Sequence, residues 1–180
     1  DCASGPKQES TAQFRSMSHH NVFDNCSFII NEKYLLLDAS QYIISVAEGP
    51  SGDTFTVRNS TFDIKKTRPL TSAMCRAYQT VLENVVINID IPLDNSYKGK
   101  YSMFEMFSVY GATSFVPKLE LNNVKVNIAS GTTVNALFFP HCNGGFDIAA
   151  SNLSVSGSGK IESYFENISI AVAQDCNFNI

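Results

Sequence analysis

The sequence predicts an all-β chain wound as a parallel β-helix, a solenoid of stacked coils. Three observations predict it. A short motif recurs along the chain: an apolar residue, any residue, Asn, then alternating positions. The alternation has a period of two, which belongs to strands and not to helices. The copies also return at intervals too long for two-residue hairpins and without helical crossovers, which counts against the alternative, a β-sandwich.

The chain of 180 residues is 44% hydrophobic and 17% charged, enough for one domain with a substantial core and too apolar for a disordered one. No apolar run approaches the ~18 residues of a membrane helix. The net charge of −4 argues against a general nucleic-acid binder. Residues 1–21 lack the regions of a signal peptide and form a polar segment or cap, in which Phe14 and Met17 stand at helical spacing; the β-helix is expected over 22–180. A start at Asp1 and a stop at Ile180, inside an apolar alternation, suggest a processed or excised part of a longer β-helix.

The first copies are Phe23–Ile30, Val57–Ile64, Leu82–Ile89 and Leu121–Ile128, built on Asn25, Asn59, Asn84 and Asn123. Ala150–Ser156 and Phe165–Val172 follow on Asn152 and Asn167, and Ala173–Ile180 has Asp175 in the Asn position. One residue after this column stand Cys26, Ser60, Val85, Val124, Leu153, Ile168 and Cys176; three residues after it stand Phe28, Phe62, Ile87, Val126, Val155, Ile170 and Phe178. These two columns are the predicted inward face. The Asn itself suits a sharp bend, because it tolerates left-handed backbone angles and its amide can bond exposed groups. Stacked bends place Asn on Asn, an asparagine ladder in which each amide bonds the next.

Coils of about 23 to 25 residues, within the range of known repeats, fit Asn59 to Asn84 and Asn152 to Asp175. The longer intervals then carry loops, and Asn167 belongs to a second face of the last coil. Tyr34–Leu37, Tyr42–Val46, Met103–Val109, Ala136–Phe139 and Phe146–Ala149 supply the remaining strands, with Gly/Ser-rich punctuation at 50–53 and 156–159.

These apolar-x-Asn-x-x-apolar-x-apolar coils resemble the right-handed parallel β-helix proteins of the pectate-lyase-like superfamily, over residues 22–180. That group includes polysaccharide lyases and hydrolases and the tailspikes of bacteriophages. The resemblance implies a right-handed helix displayed outside the cell or on a virion surface, with a polysaccharide or cell-surface glycan as partner. It brings no catalytic motif, since every matching residue is structural.

The residues offer few catalytic or metal-binding constellations. Cys26 and Cys176 lie in an apolar column and are expected to act as small core residues; Cys2, Cys75 and Cys142 lie in less regular segments, where a bridge is open. No C-x-x-C pair supports zinc, and His19-His20 and His141 lack companion ligands. The four N-x-S/T sequons, at Asn25, Asn59, Asn152 and Asn167, all fall in the repeat column and are read as structural. No nucleophile elbow, P-loop or dinucleotide fingerprint occurs, and no cofactor is expected. A carboxylate pair for glycoside hydrolysis would draw on outward residues such as Asp63, Glu105 and Asp147.

The sharpest local signal is electrostatic. Between 65 and 101, six basic residues (Lys65, Lys66, Arg68, Arg76, Lys98 and Lys100) face three acidic ones, a local balance of +3 in an acidic chain. Two clusters follow equivalent strand ends, Ile64 and Ile89, and should emerge as neighbouring loops, with Tyr97 and Tyr101 among the lysines of the second. Aromatic rings cover apolar sugar faces and cations bind carboxylate or sulfate. The expected function is therefore recognition of a polysaccharide by these eight residues. Two alternatives stand beside it. One is a lyase or glycosidase acting on an acidic glycan, the lyase using Lys98 or Lys100 with Tyr97 or Tyr101. The other is a structural shaft that trimerises or joins further domains.

Overall fold

The structure, a computed structural model, describes residues 10–16, 20–30, 40–46, 54–65, 75–77, 79–90, 102–107, 118–141, 146–165 and 168–179. Those residues form fifteen strands, and every pairing between them is parallel. No helix long and apolar enough to cross a membrane occurs among them.

The strands repeat in a fixed cycle. One face is a six-stranded sheet of β1 (Ser10–Ser16), β4 (Ser40–Val46), β6 (Cys75–Ala77), β8 (Ser102–Phe107), β10 (Thr133–His141) and β13 (Lys160–Phe165), stacked in that order. A nine-stranded sheet supplies the other two faces. Its limb before the Asn holds β2 (His20–Asp24), β11 (Phe146–Ser151) and β14 (Ile168–Gln174); its limb after the Asn holds β3 (Ser27–Ile30), β12 (Ser154–Gly157) and β15 (Asn177–Asn179). The long strands β5 (Thr54–Lys65), β7 (Gln79–Asp90) and β9 (Lys118–Ile128) run through the bend and belong to both limbs. Each coil thus visits three faces and pairs only with the coils above and below. This is a parallel β-helix, as the repeat predicts.

The bend is where the sequence said it would be. Asn25, Asn59, Asn84, Asn123, Asn152 and Asp175 all hold φ between 51 and 55°. Left-handed backbone costs an ordinary L-residue ~1–2 kcal/mol, and Asn and Asp tolerate it best after glycine. Asn167 lies outside the described residues. The Asn84 amide donates to the Asn59 side-chain oxygen at 3.1 Å, and Asn123 donates to Asn84 at 2.8 Å. The asparagine ladder is therefore real. Asn59 departs from it, donating to Asp24 at 3.0 Å and not to Asn25.

Both predicted inward columns are inward on the coils that bend at the six described positions; Ile168 and Ile170 instead lie in β14, paired with β11 in the limb before the bend. Phe28, Phe62, Ile87, Val126, Val155 and Phe178 lie in one register across six coils. The four inner members are fully buried, whereas Phe178 in the last coil is 41% exposed. Phe28 stacks on Phe62 with ring centroids 4.5 Å apart. In the neighbouring column Val85, Val124 and Leu153 are buried. Ser60 is buried there too, and its hydroxyl is satisfied: it donates to the Arg58 carbonyl at 2.6 Å and accepts from the Cys26 amide at 3.0 Å. Cys26 and Cys176 are free thiols, in the first and last coils.

Of the additional strand candidates, those near 42–46, 103–107, 136–139 and 146–149 are strands; Tyr34–Leu37 lies outside the described residues. Part of the polar N-terminal segment is itself rung, because β1 pairs with β4 along most of its length. The helical spacing of Phe14 gives way there to extended backbone.

After β12 the chain turns at Gly157, with φ 140°, and a Cβ there would collide with the Ile128 carbonyl oxygen. That same oxygen accepts from the Ser158 amide at 3.1 Å. The turn therefore needs glycine for contact as well as for angle.

Two substitutions test the bend. Asn84→Ala loses two ladder bonds and places alanine in left-handed space, an expected loss of about 2–4 kcal/mol in chemical denaturation. Asn84→Gly loses the same bonds without the backbone penalty and should recover about 1 kcal/mol of that. Equal losses would show that the angle is not what the Asn is there for.

Candidate functional site

The outward positions after the bend carry the most ordered polar surface among the described residues. Four residues past the Asn column stand Ile29, Asp63, Asn88, Asn127, Ser156 and Asn179, one per coil. Four of them form a second ladder. Asn88 donates to Asp63 at 2.7 Å, Asn127 donates to Asn88 at 2.8 Å, and the Ser156 hydroxyl reaches Asn127 at 3.4 Å. A primary amide has two N–H groups and two acceptor sites. A ladder bond on each side leaves Asn88 and Asn127 one donor and one acceptor apiece for a ligand. The groups recur at the strand spacing of ~4.8 Å.

Beside this ladder runs the column Ser27, Thr61, Val86, Lys125, Ser154 and Asn177, with Thr61 and Ser27 hydroxyls 3.4 Å apart. Lys125 is exposed. The face is thus mostly short-chained and polar, with Lys125 as a cation and with two apolar interruptions, Val86 and the exposed Ile29 of the first coil.

Ile64 and Ile89 are register partners, and the next pair is Lys65 with Asp90. The two strand ends that precede the basic segments are therefore side by side, two residues beyond Asp63 and Asn88. Lys65 is exposed at this edge. Arg76 lies within β6 in the six-stranded sheet, between Ser45 and Glu105 on adjacent coils. Lys66, Arg68, Tyr97, Lys98, Lys100 and Tyr101 lie outside the described residues.

The other candidates separate on geometry. Asp63 is an acceptor in the second ladder and not a free carboxylate. Glu105 lies in β8. Asp147 lies at a bulge in β11, with one carboxylate oxygen buried and unpartnered. The His20 ring nitrogen Nδ1 lies 2.9 Å from the Thr54 hydroxyl. Among the described residues no group of three His, Cys, Asp or Glu side chains could hold a metal ion.

One titratable group is visibly tuned. Asp24 accepts from Asn59 and lies 2.9 Å from the Arg58 guanidinium. The Asn59 bond, then the Arg58 contact, hold its carboxyl below the ordinary carboxylate value despite partial desolvation. Both partners are largely exposed, so the pair contributes little to stability. Its role is to end the bend ladder on an acceptor that needs no donor above it.

The sequence reading missed Asn88 and Asn127 as a unit. The signal in the sequence is an amide four residues past the bend in three copies, Asn88, Asn127 and Asn179. No known protein family, curated protein or solved structure matches this chain.

Asp24 gives a pH test. A carboxyl depressed in the folded state contributes stability above its unfolded value, and that contribution is lost as pH falls through the folded one. The stability difference between the native chain and Asp24→Asn should be constant above about pH 4 and shrink below it, read by thermal melts at stepped pH. A difference that grows on acidification would contradict the ladder terminus.

Proposed function

We propose that this chain is a β-helix module that recognises an extended acidic polysaccharide, outside the cell or on a virion surface. The observation that carries the reading is the second ladder, Asp63–Asn88–Asn127–Ser156, running along the helix axis beside the edge at Lys65 and Asp90 from which two basic segments continue. A polymer laid along that axis meets a free donor and acceptor at Asn88 and again at Asn127, one coil apart. The ~4.8 Å interval is close to the advance per sugar of an extended chain. Repeated weak contacts on one rigid support add through effective concentration. The basic segments supply cations for carboxylate or sulfate groups, and Tyr97 and Tyr101 supply rings for sugar faces. The likeness to pectate-lyase-like proteins and tailspikes, carried by the repeat, points the same way.

A second reading is a structural shaft. Two axial ladders and a continuous core favour it, because both stiffen the stack without reference to any ligand.

Retention on a panel of acidic and neutral polysaccharides separates them. The proposal expects retention on at least one acidic polymer, weakened by salt. Replacing Lys98 and Lys100 together with Ala should weaken it about tenfold or more, as the loss of ~1.4 kcal/mol implies, with the thermal midpoint nearly unmoved. Asn127→Ala should weaken long chains more than short ones. Retention of no polymer leaves the shaft. Rising ultraviolet absorbance from unsaturated uronates would make the chain a lyase.

A further inference from the structure

Three of the four sequons, at Asn25, Asn59 and Asn152, share the bend column, yet the structure does not treat their Asn residues alike. Asn59, in Asn59-Ser60-Thr61, is fixed on both sides: it donates to Asp24 and accepts from Asn84. Asn25, in Asn25-Cys26-Ser27, and Asn152, in Asn152-Leu153-Ser154, hold the same left-handed bend and are exposed. Among the described residues no side-chain hydrogen bond ties either amide. Their backbone amides are used instead, Asn25 donating to the Arg58 carbonyl and Asn152 to the Gln174 carbonyl.

Ladder polarity accounts for Asn25 and for the unpaired Asn152 oxygen. Each amide donates toward the preceding coil, from Asn123 to Asn84 to Asn59. In the first coil Asp24 takes the Asn59 donor, so Asn25 is bypassed. In the last coil the column holds Asp175, which as a carboxylate has no proton to donate to Asn152.

We infer that Asn25 and Asn152 are acceptor sites for N-linked glycans and that Asn59 is not. In the reaction the side-chain Nδ2 loses a proton to the transferase and bonds the anomeric carbon of an oligosaccharide carried on a lipid pyrophosphate. The bond from that carbon to the pyrophosphate oxygen breaks, and the lipid pyrophosphate leaves with the electron pair. The hydroxyl two residues on completes each acceptor sequence. At Asn25 and Asn152 the product sacrifices no hydrogen bond and projects from an exposed bend. At Asn59 it replaces an N–H on an amide held between two neighbouring side chains. The inference shares with the proposed function only the extracellular location, and polysaccharide retention is measured separately from it.

The test is secretion of the whole chain from a eukaryotic host, with site occupancy read by mass spectrometry before and after enzymatic deglycosylation. The folded, secreted protein should carry glycan at Asn25 and Asn152 and none at Asn59. Asn152→Gln and Ser154→Ala should each remove one glycan; Ser154→Ala should keep the deglycosylated melting temperature within a degree or two, and Asn152→Gln, which puts Gln in left-handed backbone, should lower it by only a few degrees. Asn59→Gln should lower that temperature and remove no glycan. If secretion fails, translation with microsomes reads occupancy at Asn25 and Asn152 directly. Bare Asn25 and Asn152, or glycan on Asn59 in the folded protein, would overturn the assignment.

Discussion

Everything in this molecule hangs on a bend that must recur in the same place on every coil. One coil cannot cover its own apolar side, so burial requires a neighbour in register, and register requires that each coil turn at the same residue. The left-handed angles of Asn25, Asn59, Asn84, Asn123, Asn152 and Asp175 set that point. The inward columns then stack, Phe62 on Ile87 on Val126 on Val155. A shift of one residue at any bend would turn that coil's Phe or Ile outward.

The intervals between bends vary while the stacking does not. Asn59 and Asn84 are 25 residues apart, Asn84 and Asn123 are 39, yet both pairs are joined by a ladder bond. Loop closure grows only slowly in cost with length, so extra residues between faces leave the register alone. The basic segments exploit this freedom. They leave from Lys65 and from Asp90, two strand ends that the register holds together.

The fold was legible because its signal is periodic and repeated. The columns at one and three residues past the Asn could be read from sequence alone, since a buried strand face tolerates few residue types. The bend was legible for the same reason, at all six described positions. The polar surface was harder to read. Asp63 looks like a free outward carboxylate until Asn88 is found bonding it, and that bond joins residues far apart in sequence. Nor does any local pattern reveal that Asp24 would displace Asn25 from the ladder, because the displacement depends on Arg58 and Asn59 of the next coil. The candidate binding residues between 66 and 101 stand out by charge and, for Tyr97 and Tyr101, by aromaticity, and composition says where such groups are dense without saying what they face.

The same residue type therefore does two kinds of work in one column, and its neighbours decide which. Asn84 and Asn123 spend their amides on the stack. Asn59 does so as well, but only because an acceptor-only side chain waits one coil below. Asn25 and Asn152 keep the bend, which needs the backbone angle, and are excused from the ladder, which needs a partner. A ladder of amides has a direction, and a carboxylate can end it at the accepting side but cannot feed it at the donating side. Asp24 ends it well. Asp175, at the other side, leaves the Asn152 oxygen without a donor, and Asn152, exposed at its bend, is a position chosen for backbone reasons that becomes available for chemistry.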